Sequence, residues 1–317
     1  MHFTAAPPLF LSDATVSDGP GGCSPPKIAT RALRFLIAES EPPEARARRR
    51  NSVGQSSGET FQTTLQELEP GASYHRITPA DADANVPSVA EIAGYDGVFL
   101  TGSPIHLYDE TPEVARELAF MRAVFASATP AFGSCAGLQV ATVAAGGKVR
   151  AMAPQREAGF ARRISPTEAG RHHPLLRGRP DAYDAPAVHT DEVELLPDGA
   201  LRLAGNGTTA VQAAEIRHDG GIFWGVQYHP ELSLEEIAAA LRRQAGDLIE
   251  NGLATSRNEI EDHASLVEAL GAAPDRRDLA WRLGLDEQVT DPDHRRMELR
   301  NFIDLLVRPT VSRRGRG

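Results

Sequence analysis

Four short apolar runs separated by helix-period segments constrain this chain more than any single residue. Residues 33–38 (LRFLIA), 95–100 (YDGVFL), 130–133 (PAFG) and 221–227 (GIFWGVQ) have the length and composition of strands buried on both faces, and residues 74–77 read as a further strand. Between them, residues 58–68 carry Phe61, Leu65 and Leu68 at helical spacing, Pro112 opens a helix that runs to Ala126, and residues 137–145 form a helical run stopped by Gly146 and Gly147. Strands and helices alternating in this way imply an α/β fold: a doubly wound, mostly parallel sheet flanked by helices, with ligands bound beyond the carboxyl ends of the strands.

Residues 161–212 give shorter, mixed signals that suit antiparallel strands around a loop at 180–186. Residues 234–249, 260–270 and 297–307 again have helical spacing. The expected organisation is therefore a leader over 1–31, rich in Pro, Gly and Ser and read as disordered, an α/β domain over 32–250, and a helical C-terminal extension with a basic tail over 251–317. With 41% hydrophobic and 24% charged residues the chain has ordinary globular usage.

A net charge of -10 argues against a nucleic-acid partner, because phosphate contacts need clustered Lys and Arg. The local basic runs at 46–50 and 313–316 read as a polar loop and a solvated tail without a functional role. No stretch approaches the roughly 20 apolar residues of a membrane helix, and no signal segment opens the chain. Two cysteines, Cys23 and Cys135, are too few for a disulfide framework and suit a reducing cytoplasm. Cys23 falls in the leader and reads as incidental.

Cys135 stands between the apolar run PAFG and a helix, where the helix N-terminus stabilises negative charge and favours the thiolate, the competent nucleophile. Gly133 and Gly137 flank it at the spacing of a nucleophile elbow (GSCAG), and such small residues permit a sharp, strained turn. Alone, a buried structural cysteine would explain this pattern as well. The run GIFWGVQ, however, delivers His229 at its carboxyl end, with Glu231 two residues on across Pro230: an imidazole and a carboxylate able to orient it.

GSCAGLQ around Cys135, GVQYHPE ending at Glu231 and TGSP at residues 101–104 resemble class I glutamine amidotransferases. HTDEVELLPDG at residues 189–199 resembles their stand-alone, GMP synthase-like branch, and the likeness spans about residues 33–232. It implies the flavodoxin-like fold of that family, with Cys135 as nucleophile, His229 as base and then acid, and Glu231 as its orienter. It further implies Ser103 and Ala136 as backbone donors to the oxyanion, and Gly102 and Gln139 on the glutamyl portion. No cofactor is implied. Ser134 and Ala136 depart from the family, which commonly has larger residues there, and the small Ala136 leads us to expect a pocket wide enough for a γ-glutamyl substrate bulkier than glutamine.

His189 and Asp191, with Glu192, form a polar cluster assigned to the substrate side; a loop held by Asp hydrogen bonds is the alternative. No second His at ligand spacing accompanies them, so no metal is expected. His172 and His173 precede Pro174 in a turn and read as solvent-exposed. The expected function is hydrolysis of a γ-glutamyl amide, glutamine to glutamate and ammonia, through a γ-glutamyl thioester. No phosphate-binding glycine loop is visible, so any synthetase that takes up the ammonia would be a separate chain. The alternative is a stand-alone hydrolase or transpeptidase of γ-glutamyl amines or peptides, and a non-catalytic binding module comes last.

Overall fold

The run LRFLIA becomes strand β1 (Arg34–Ala38), whose period-two alternation sends Phe35 and Ile37 to one face of a sheet and Leu36 and Ala38 to the other. The computed structural model describes residues 31–152 and 156–315. Apart from Arg31, the 1–31 leader and Cys23 within it lie outside the described residues. The remaining strands are β2 (Ser73–Ile77), β3 (Gly97–Leu100), β4 (Ala131–Ser134), β5 (Lys148–Ala151), β6 (Glu157–Pro166), β7 (Tyr183–His189), β8 (Asp191–Leu195), β9 (Leu201–Gly205), β10 (Ala213–His218) and β11 (Gly221–Val226).

Nine of these strands form one sheet in the order β2-β1-β3-β4-β11-β10-β9-β6-β7, while β5 and β8 pair separately. From β2 to β11 all neighbours run parallel; from β11 to β7 they are antiparallel. On one face, helix Ser57–Leu68 and the segment Met297–Phe302 pack Phe61, Leu65 and Phe302 against Phe35, Phe99, Phe132 and Trp224. On the other, helices Pro112–Ala126 and Ala136–Ala144 pack Phe120, Met121 and Leu138 against Leu36, Val98 and Phe223. A sheet covered on both faces is what the uninterrupted apolar runs demand.

Several sequence expectations need correction. The basic run at 46–50 is not a polar loop: it lies within helix Pro43–Val53, opened by Pro43 and Glu44. Two of its arginines are largely buried, Arg46 against Asp81 at 2.5 Å and Arg49 against Glu236 at 2.8 Å. The loop expected through residue 186 gives way to a strand: Pro186 sits inside β7, at the sheet edge, where a missing N–H costs no ladder bond. Residues 234–249 form two helices, Leu234–Arg243 and Ala245–Glu250, broken at Gln244. His172 is exposed as expected, but the His173 imidazole is 9% exposed, 3.1 Å from Glu215 and edge-on to Trp224.

The segment beyond residue 250 shares the cores of the α/β domain. Arg179 grips Glu298 through two 2.7 Å bonds, both side chains fully buried. Tyr228, beside His229, donates to the same carboxylate at 2.8 Å and meets Tyr183 at 3.0 Å. Removing one partner of a buried pair strands the other charge, so Glu298→Ala is expected to lower unfolding free energy by about 3–5 kcal/mol in urea titrations. The apolar double variant Arg179→Met with Glu298→Leu recovers most of that loss, because no charge is then left without a partner. A loss within about 1 kcal/mol for Glu298→Ala would contradict this account.

Candidate active site

Three adjacent parallel strands end level with one another. Leu100 of β3 pairs with Gly133 of β4, and Gly225 and Val226 of β11 pair with Gly133 and Ser134. The chain leaves β3 into the TGSP turn, β4 into Cys135 and β11 toward His229, so the register alone gathers the three motifs. Cys135 extends the ladder by donating its N–H to the Val226 carbonyl at 2.8 Å. To turn from strand into helix Ala136–Ala144 it adopts φ 52° and ψ −112°, a strained conformation for a side-chain-bearing residue. The turn is close-packed. A Cβ on Gly133 would stand 2.9 Å from the Gly137 Cα, and one on Gly137 would stand 2.7 Å from the Leu100 carbonyl oxygen.

His229 is anchored from the far side of the sheet by its N–H donating to the Pro186 carbonyl of β7 at 2.7 Å. Its Nδ1 meets Glu231 Oε1 at 2.7 Å, which turns Nε2 toward the sulfur of Cys135. The same Glu231 oxygen accepts the Ser134 hydroxyl at 2.9 Å, while Oε2 is buried without a protein partner. Cys135, His229 and Glu231 are all buried. Burial alone would lower the His229 pKa; the Glu231 charge and the hydrogen-bonded Cys135 sulfur outweigh it and push the imidazole up to about 10. Because the folded value is raised, this stabilisation is present below the unfolded value near 6.5 and is lost as pH rises through about 10.

Cys135, His229, Gly102, Ser103, Gln139, His189 and Asp191 border one cavity of about 580 Å³. Gly102 packs so closely that a Cβ there would lie 2.7 Å from His229 Cε1. The Ser103 hydroxyl donates to the Ser40 carbonyl at 2.8 Å and accepts the Ile105 N–H at 3.3 Å, pinning the TGSP turn. The Ala136 N–H is the first of its helix and has no partner within it. Ala136 itself is fully buried and is not part of the cavity wall. Helices Pro43–Val53 and Leu234–Arg243 contribute residues to that wall.

Gln139 donates to the Asp191 carbonyl at 3.0 Å and to Gln227 Oε1 at 3.2 Å. Both ring nitrogens of His189 are engaged, by Glu157 Oε2 at 2.8 Å and by the Asp191 carbonyl at 3.0 Å. The Asp191 carboxylate meets His106 Nδ1 at 2.7 Å and accepts the Tyr108 hydroxyl at 3.2 Å, and so ties down the loop that follows the TGSP turn. Sequence reasoning passed over His106, Tyr108 and the bond from Ser134, as well as Arg48, Arg49, Arg156 and Arg243 on the cavity wall. Only the arginines in helix Pro43–Val53 left a usable signal, the Pro-Glu helix start before them. Among the described residues no group of three or more His, Cys, Asp or Glu is placed to hold a metal ion, and no helix is long and apolar enough to cross a membrane.

Residues 60–245 match the family described as glutamine amidotransferase class-I. The chain belongs to this family. A γ-glutamyl-L-1-hydroxyisopropylamide hydrolase from a Pseudomonas species is 35% identical over 89% of the chain and 96% of its own length. A glutamine-hydrolysing GMP synthase component from Methanoculleus marisnigri is 34% identical over 47% of the chain and 73% of its length, and the GMP synthase of Leifsonia xyli is 32% identical over 54% and 32%. A glutamine amidotransferase structure from Thermotoga maritima shares the fold, with a TM-score of 0.58 at 16% identity over 87% of this chain and 99% of that one. As a class I amidotransferase the chain is an enzyme that hydrolyses γ-glutamyl amides.

If Glu231 supplies the charge that holds the proton on His229, Glu231→Gln makes the imidazole titrate well below 10, toward the ordinary 6.5. NMR of the ring signals measures the shift directly. An unchanged titration would remove Glu231 from that role.

Proposed function

We propose that this amidotransferase is a stand-alone γ-glutamyl hydrolase, in which Cys135, His229 and Glu231 act together on γ-glutamyl amides of amines larger than ammonia. The observation that carries the reading is the coverage of the Pseudomonas γ-glutamyl amide hydrolase, 89% of this chain and 96% of that one, against 32% of the length of the Leifsonia xyli GMP synthase. The cavity volume agrees: about 580 Å³ falls in the ~300–1,000 Å³ range of sites for drug-sized ligands, more than glutamine needs.

In this reading the Cys135 thiolate attacks the γ-carbonyl carbon, and the oxyanion accepts the N–H groups of Ser103 and Ala136. The protonated His229 then gives the proton on Nε2 to the leaving nitrogen as the C–N bond breaks. The amine departs and a γ-glutamyl thioester remains. Water, losing its proton to Nε2, attacks the thioester carbon; the thiolate leaves and glutamate is released. Glu231 keeps Nδ1 protonated and the ring aligned throughout. Gly102 and Gln139 bound the glutamyl portion, and Asp191 acts through the loop bearing His106 and Tyr108.

A second reading passes ammonia from glutamine to a synthetase on a separate subunit, and the coverage of the Methanoculleus marisnigri GMP synthase component favours it. Steady-state glutamate release separates the two. The hydrolase reading expects γ-glutamyl amides of small amines to exceed glutamine by about tenfold or more in kcat/KM, and Cys135→Ala to cost at least about 10³-fold. Turnover of glutamine alone, or only with an added synthetase, decides for the second reading. Full activity in Cys135→Ala would overturn both.

A further inference from the structure

The outer half of the cavity carries four arginines, two of which are held in no ion pair among the described residues. Helix Pro43–Val53 contributes Arg48 and Arg49, helix Leu234–Arg243 contributes Arg243, and Arg156 stands just before β6. Arg49 is matched by Glu236 at 2.8 Å. Arg156 is not: its NH2 group donates to the Gln244 side chain, its buried Nε reaches no acceptor among the described residues, and Asp247 is the carboxylate whose charge acts on it. Arg243 donates to the Ser52 hydroxyl at 2.9 Å. The ion-pair neighbour of Arg48 is Glu44, 3.9 Å away and exposed.

Burial lowers the Arg156 pKa against the opposing charge of Asp247. Burial and then the like charge of Arg49 lower Arg243, against Glu41 and Glu236. Of the carboxylates bordering the cavity, Glu231 is engaged by His229 and Ser134, and Asp191 by His106 and Tyr108. Among the described residues Arg156 and Arg243 bond an amide and a hydroxyl oxygen, and neither is held in an ion pair. A γ-glutamyl head brings one carboxylate and one ammonium, and so leaves these two guanidinium groups open to a further carboxylate.

We propose that this outer half is a subsite for a leaving amine that carries a carboxylate, so that γ-glutamyl amino acids are preferred over uncharged γ-glutamyl alkylamides and over glutamine. The assignment rests on the hydrolase reading above and adds the charge of the leaving group. Guanidinium suits it, because its planar fork binds carboxylate through paired hydrogen bonds and holds its charge where an ammonium would lose it.

The test compares γ-glutamyl-glycine with γ-glutamyl-glycinamide, which has nearly the same shape and lacks the charge. Wild type is expected to favour the carboxylate by about tenfold or more in kcat/KM, with the ratio shrinking as salt rises. In Arg156→Gln and Arg243→Gln the ratio falls toward one. Arg156 is buried, so if its variant does not fold, the Arg243→Gln ratio and the wild-type salt dependence give the same readout. A wild-type ratio near one, or variants that lower both substrates equally, overturns the subsite while leaving the hydrolase intact. No glutamate from either compound overturns the hydrolase reading itself, and the subsite with it.

Discussion

The strained turn at Cys135 is the constraint on which the rest of the site depends. A side chain at φ 52° costs on the order of 1–3 kcal/mol and persists only where its surroundings leave no alternative. Here β4 enters the turn locked between β3 and β11, the Cys135 N–H is held by Val226, and helix Ala136–Ala144 lies so close that Gly137 nearly touches Leu100. A looser turn would break a ladder bond or open the packing of Leu138 and Val140 beneath the helix. The same bond to Val226 ties the turn to the strand that delivers His229. Cys135 and His229 are thus positioned by one sheet and not by two independent loops, the kind of support that precise sites require.

Burial of the three groups has an electrostatic consequence. A buried imidazole is normally neutral, and His229 is not, because Glu231 and the sulfur of Cys135 flank it. Glu231 is held in turn by Ser134, so the residue before Cys135 steadies the carboxylate bonded to His229. The support extends further. Tyr228 precedes His229 and is fixed by Glu298, which is fixed by Arg179, so the C-terminal helices brace the end of β11. A segment that carries no catalytic motif still bears on the geometry of the site.

The parallel half of the sheet was legible in the sequence because strands buried on both faces must be apolar runs, and residues 33–38, 95–100, 130–133 and 221–227 are just that. The approach of Cys135, His229 and Glu231 was legible because each follows such a run. The antiparallel half was harder to read. Its strands have one mixed face, and Pro186 reads as a loop residue unless its place at an edge is known. Helix Pro43–Val53 was missed because its apolar content is low and two of its arginines, Arg46 and Arg49, are buried by pairing with Asp81 and Glu236, residues far away in sequence. No local pattern records such partners. The same holds for His173, whose burial depends on Glu215 and Trp224.

This division follows the chemistry. In the proposed mechanism the groups that meet the γ-carbonyl sit on strand ends, and the sheet register gathers them whatever amine is cleaved. The groups proposed to face the departing amine sit on helix Pro43–Val53, on helix Leu234–Arg243 and just ahead of β6, in segments that carry none of the sequence motifs. Family membership therefore establishes the bond that is cleaved and leaves the leaving group open. Two chains with identical strand ends can differ in substrate charge by a few arginines on the outer helices. Arg48, Arg156 and Arg243 take no part in the bonds that hold Cys135, His229 or Glu231 in place, so the two sets of residues can vary separately.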